Sequence, residues 1–139
     1  MATISEIRTM NEYCLLIVLL ICHYMADYCL TMPMMIRAKA DGKNVWPIVL
    51  HAGIHAALMG VCLIVWGISW VWSMVLMWVE LVTHFLIDLC KARLSYHYPV
   101  LADVKQKPYW MLYGLDQLLH QLVVVSIWLL AINTINLSV

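Results

Sequence analysis

Four long apolar stretches fill most of this chain, at approximately Tyr13–Ile36, Pro47–Trp66, Trp70–Cys90 and Tyr109–Ile132. Each is long enough to cross a hydrocarbon core of about 30 Å as a helix. Inside a bilayer every backbone polar group must be satisfied without water, and a helix does this within one segment. Composition points the same way: 65% of residues are hydrophobic and 12% charged, against about 25% charged in a soluble domain. The expectation is an all-α polytopic membrane protein, a single transmembrane domain over residues 1–139 built as a four-helix bundle.

Pro47 and Pro108 stand where helices begin, a position that tolerates a missing N–H. Pro33, near the end of the first stretch, is expected to kink or fray it. The first stretch contains His23 and Asp27 and lacks a short basic leader, so it reads as a retained span and not as a secretory signal. The five cysteines show no CxxC spacing and lie in apolar runs, which argues against a disulfide framework. Gly53, Ala56, Ala57 and Gly60 in the second span recur at the three- and four-residue spacing that lets helices approach closely.

Charge sets the orientation. Seven of the eight Lys and Arg residues fall in two connections, Arg37, Lys39 and Lys43 in one and Lys91, Arg93, Lys105 and Lys107 in the other. Arg8 alone is elsewhere. The positive-inside rule makes those connections cytoplasmic and puts both termini outside. Trp66, Trp70, Trp72 and Trp128 then lie towards the outer ends. Net charge is zero, with no basic tract to suggest nucleic acid as a partner.

Ionisable side chains inside spans are expensive, and their default reading is functional. Here every span has a pair at one spacing: His23 and Asp27, His51 and His55, His84 and Asp88, Asp116 and His120. A separation of four puts both members on one helical face. Five of the six histidines are used in this way, and His97 is the exception. Counted from the cytoplasmic ends, the four pairs overlap in one layer roughly 6–20 Å deep. Imidazole and carboxylate together form the ligand set of zinc, manganese or iron. Eight such ligands exceed the needs of one tetrahedral ion, so the expectation is one or two divalent ions, zinc first. The competing reading is interhelical hydrogen bonding, worth about 0.6–2 kcal/mol per pair.

Glu80 lies one turn before His84 on the same face, as a further ligand, a general base, or a protonated carboxyl bonded to a neighbouring helix. Gln117 and Gln121 each follow a candidate ligand by one position and point to an adjacent face. Tyr24, Tyr28 and Tyr113 receive no role. Spans one and two (HxxxD, basic loop, HxxxH) are repeated by spans three and four (HxxxD, basic loop, DxxxH), and the loops share Arg37-Ala38-Lys39 and Lys91-Ala92-Arg93. Two similar hairpins in one orientation would be related by an axis along the membrane normal. Ser95–Lys107 reads as a cytoplasmic lid or partner surface.

The succession HxxxD, HxxxH, HFLID with KARL, and DQLLH, from about His23 to His120, resembles an uncharacterised membrane family of bacteria and phages, domain of unknown function 3307. Family members commonly have an acidic residue, a Gln and a Lys around the end of the first span, where this chain has Asp27, Thr31 and Lys39. The resemblance implies the architecture, the site residues and a bacterial inner membrane, and supplies no reaction.

Three functions compete. The first is a metal-dependent membrane hydrolase acting near the cytoplasmic leaflet on a lipid-like or phosphoester substrate. Metal-activated water is the hydrolytic route left by a chain without a phosphate-binding glycine loop or a nucleophilic triad. The second is a divalent-cation or proton transporter or channel, since ionisable rings at membrane depth mark such paths. The third is a structural or adaptor protein stapled by its metal. The lipid bilayer is a partner in every case, and homo-oligomerisation stays open.

Overall fold

A computed structural model describes residues 4–137 as five helices, with no strand among the described residues. They are α1 (Ile4–Tyr24), α2 (Pro33–Asp41), α3 (Trp46–Val65), α4 (Trp70–His97) and α5 (Lys107–Leu137). Four segments are long and apolar enough to cross a membrane: Thr9–Cys29, Trp46–Val65, Trp70–His97 and Lys107–Thr134. The long helices form a ring in which α1 packs on α3 and α5, and α4 packs on α3 and α5. The short α2 lies at the end of the bundle bearing the basic connections, against α3 and α4.

The first span ends earlier than hydropathy suggests. After Tyr24 the chain widens into one π turn, Met25–Cys29, closed by Leu30 N–H donating to Met25 O (3.0 Å). Met32 is then extended, at φ −89° and ψ 154°, because a following proline disfavours helical geometry at the residue before it. Pro33 opens α2 instead of kinking α1. Thr31 bridges the break, its hydroxyl donating to the carbonyls of Asp27 (2.6 Å) and Ala26 (3.0 Å). These are carbonyls that an interrupted helix leaves free.

Gly42 ends α2 at φ +61°. A Cβ there would stand 2.8 Å from the carbonyl oxygen of Ala92 on α4, so glycine is required for both conformation and space. Ala38, Ile48 and Ala92 form a small core beneath this contact. The alanines of the two basic strings thus pack together. The stretch expected to be a lid is compact: α4 runs through His97, Pro99–Leu101 make a 3₁₀ turn, and Trp110 Nε1 donates to Val104 O (2.9 Å).

At the other end, Gly67 (φ +93°) makes the tight turn between α3 and α4. Each long helix sends one stripe of side chains inward. Near the turn these stripes are apolar, with Leu15 and Leu19 of α1, Met59 and Leu63 of α3, Leu76 of α4, and Val124, Ile127 and Ala131 of α5 in one core. Of the small residues of α3, Gly60 meets Met77 of α4, while Gly53 faces open space. All five cysteines are free, and the Cys22 and Cys62 Sγ atoms lie 3.2 Å apart.

Candidate metal centre

The stripes change character one turn further along. On α4 the buried positions run Ser73, Leu76, Glu80, His84, Asp88 and Ala92, a spacing of three then four that stays on one face. On α1 Leu19 gives way to His23, on α3 Met59 to His55, and on α5 Val124 to His120. The five span histidines therefore meet inside the bundle, each less than 9% exposed. His84 is central, its ring centroid 3.8 Å from His55, 4.1 Å from His120, 5.2 Å from His51 and 5.6 Å from His23.

Carboxylates surround these rings. Asp27 Oδ1 lies 3.1 Å from His51 Nε2 and 3.4 Å from His55 Nε2, and its Oδ2 lies 3.4 Å from His23 Nε2. Glu80 Oε1 is 3.3 Å from His84 Nδ1, and Asp88 Oδ2 is 3.5 Å from His84 Nε2. His120 Nδ1–H donates to the carbonyl of Asp116 (2.8 Å). A carbonyl can only accept, so the neutral ring keeps its lone pair on Nε2, facing the cluster. Glu80 addresses Nδ1 of His84 in the same sense. Such outer partners fix the tautomer and orientation of metal-binding histidines.

Three sets of donors come together closely enough to hold an ion, every donor atom within 4.8 Å of the others: His23, His55, Glu80 and His84; Asp27, His51, His55 and His84; and His84, Asp88 and His120. Seven of the eight residues expected from spacing, with Glu80, belong to these sets. Asp116 does not. Its Oδ2 accepts a hydrogen bond from Lys91 Nζ (2.7 Å), because α4 brings Lys91 to α5 at that level.

The donor set fits a divalent cation better than it fits a hydrogen-bond network. Among the described residues, nine buried side-chain atoms have no hydrogen-bond partner: both nitrogens of His23, Nε2 of His55, His84 and His120, Oε2 of Glu80, both oxygens of Asp88, and Oδ1 of Asp116. Each buried polar atom left in that state costs about 1–3 kcal/mol. Packing glue would pair them. Several of them, the carboxylate oxygens and Nε2 of His120, are acceptors that a cation at the cluster would satisfy.

Sequence reasoning gives no site role to Lys39 or Lys91: both count as topogenic loop charges, Lys39 also as a match to the family's pattern after the first span. Lys39 Nζ forms an ion pair with Asp88 Oδ2 at 2.7 Å and lies 3.9 Å from Asp27 Oδ1. Gln117, given no fixed role from spacing, donates from Nε2 to Asp116 Oδ2 (3.3 Å) and Asp27 Oδ2 (3.5 Å). Lys91 follows Asp88 by three positions, a signal that was available. For Lys39 the signal was its match, with Asp27, to the acidic and Lys positions of the family pattern. Above these groups a groove of about 470 Å³ opens at the basic end, lined by Asp27, Lys39, Lys91, Asp116 and Gln117 among others. The Tyr28 and Tyr113 hydroxyls, 2.6 Å apart, belong to its wall.

Fold and site together define a helical membrane protein with a buried histidine–carboxylate centre reached from one end. The model of the family described as "Protein of unknown function (DUF3307)" matches residues 15–139, and the chain belongs to that family. No curated protein and no solved structure matches the chain.

Proposed function

We propose that this protein is a metal-dependent membrane hydrolase, holding one or two divalent transition ions, zinc first, and acting near the cytoplasmic leaflet on a lipid-like or phosphoester substrate. The observation that carries this reading is a buried histidine–carboxylate donor cluster joined to an open groove through Asp27, which belongs both to a donor set and to the groove lining. His84 is in all three donor sets and His55 in two, so these residues hold the ion, with His23, Asp27, His51, Asp88 and His120 completing its surroundings. When bound, such an ion supplies Lewis acidity towards water and towards a phosphoryl or carbonyl oxygen.

The carboxylates divide by position. Glu80 is 1% exposed at the apolar floor and absent from the groove lining, so its role is to orient His84 rather than to serve as general base. Asp116 lines the groove and stands outside the donor sets. It is the carboxylate placed to take a proton from a reacting group.

A cation path receives less support, because the turn-end half of the bundle is closed by Leu15, Leu19, Leu63, Leu76 and Ile127. A purely structural staple leaves the groove without purpose. Elemental analysis of the detergent-purified protein tests the reading, beside the double variant His51→Ala/His55→Ala. One or two equivalents of a transition metal, lost in the variant, are expected. Wild-type protein that stays metal-free after reconstitution would refute it.

A further inference from the structure

The groove above the centre has two cationic groups in its lining, Lys39 from α2 and Lys91 from α4, each side chain 21% exposed. Both are engaged inward, Lys39 with Asp88 and Lys91 with Asp116 at 2.7 Å each. Around them the lining carries the hydroxyls of Tyr28, Ser95 and Tyr113 and the amide of Gln117, together with apolar Ile36 and Leu112. Such a lining suits a small oxyanion attached to an apolar body. A lysine ammonium serves such an anion as a point charge and hydroxyls supply further donors.

Charge opposes that role in the metal-free protein. Asp27, Asp88 and Asp116 stand against Lys39 and Lys91, three carboxylates to two ammonium groups. An anion approaching this site meets an excess of carboxylates and two lysines already engaged. A divalent ion at the cluster reverses that balance. Asp88 belongs to a donor set with His84 and His120, so an ion that takes Asp88 also takes the partner of Lys39.

We infer that Lys39 and Lys91 form an anion-binding pair for a phosphate-type group, competent only once a divalent ion has bound at the histidine cluster. The inference rests on the metal-binding reading above and adds the substrate's charge and the order of binding. Lys39 leaves Asp88 when that carboxylate is drawn to the ion. Lys91 then leaves Asp116 for the anion, which frees the one groove carboxylate outside the donor sets. Ion and anion are thus linked, each raising the other's affinity by the same factor.

The test uses the full chain in detergent, metal-free or zinc-loaded and washed, with inorganic phosphate as the probe in equilibrium dialysis. Zinc loading is expected to tighten phosphate binding by about tenfold or more. Lys39→Gln and Lys91→Gln should lose that gain, and Lys39→Arg and Lys91→Arg should keep most of it, which controls for folding. The Gln variants should also bind zinc more tightly than wild type, since a competitor for the carboxylates has gone. Lysines that merely support the fold would lower zinc affinity instead.

A second arm places the protein in phosphatidylcholine nanodiscs with and without phosphatidic acid. If free phosphate is ignored but phosphatidic acid tightens zinc binding in wild type and not in the Gln variants, the inference stands and the anion is lipid-borne. Zinc-loaded protein that responds to neither probe overturns it and leaves the metal centre intact. Phosphate binding that is equal with and without zinc, or unaltered in the Gln variants, also overturns it. Protein that binds no zinc at all removes the metal reading and this inference together.

Discussion

The two halves of this bundle are built on the same four inward stripes and filled with opposite chemistry. Towards the turn the stripes meet as Leu15, Leu19, Met59, Leu63, Leu76, Val124 and Ile127. Towards the basic end they meet as His23, His51, His55, His84, Asp88 and His120. The change takes a single turn on every long helix. In a bilayer the apolar half gains little from burial as such, because lipid is as apolar as leucine, and it holds by close packing. The polar half works against insertion, since each ionisable group at depth is costly. On the metal-binding reading proposed above, the second half is kept for its ligands, and the unpartnered atoms within it are what an ion would complete.

The sharpest way to break this comparison is one truncation in each half. His84→Ala removes the residue common to all three donor sets. It should cost metal affinity more than the about 10–100-fold that outer-partner changes cost, as read by elemental analysis. Leu76→Ala should leave metal content alone and destabilise the bundle by about 2–5 kcal/mol, as read by reversible unfolding in mixed micelles. If Leu76→Ala strips the metal, the halves are not separable. Next in size is the border between them. Glu80→Leu extends the apolar core by one residue and removes a buried Oε2 with no partner. Losing the unpartnered Oε2 and stranding His84 Nδ1 are each worth about 1–3 kcal/mol with opposite sign, so the metal-free protein should change little, and zinc affinity should fall about 10–100-fold as His84 loses its orienting partner. A stability loss in that variant would mean that Glu80 belongs to the fold.

Under the proposed function, Asp88 and Asp116 would divide metal binding from catalysis. Asp88→Asn should weaken zinc binding clearly, because Asp88 is a donor to a set with His84 and His120. Asp116→Asn should leave zinc stoichiometry unchanged and abolish turnover of a phosphoester. Equal loss of zinc in both variants would return Asp116 to the ligands.

Much of this was legible in sequence, for a physical reason. Hydropathy and a spacing of four report which residues share a helical face, and a bundle of four such faces has only one interior. Seven of the eight residues picked by spacing thus fall together in the donor sets, whereas their partners do not follow from it. The spacing that groups Asp116 with His120 says nothing of Lys91 reaching across from α4. Counting Lys39 and Lys91 as topogenic charges locates their Cα atoms at the end of the bundle, but a four-carbon stem carries each ammonium inward to a carboxylate. The end of the first span was misjudged because the apolar run continues through the break: Leu30, Met32, Met34 and Ile36 keep hydropathy high while Pro33 starts a new helix. Hydropathy averages over residues and does not see that the chain has turned.

The smallest expected effects compare two glycines of α3. Gly60 lies in the apolar half, where a Cβ would stand 3.1 Å from Met77 Sδ. That is the end of a flexible side chain, so Met77 can shift. Gly53 lies between His51 and His55 in sequence but off their face, with nothing within 4 Å of a Cβ. Alanine is favoured over glycine in a helix interior by about 0.5–1 kcal/mol. Gly53→Ala should therefore stabilise the protein by about that amount and leave zinc affinity untouched. Gly60→Ala should come out near zero, its helix gain offset by the displacement of Met77. Unfolding midpoints measured side by side read both. A loss of zinc in Gly53→Ala would mean that the polar half reaches beyond the inward stripe, onto the flank of α3 that faces lipid or a second molecule.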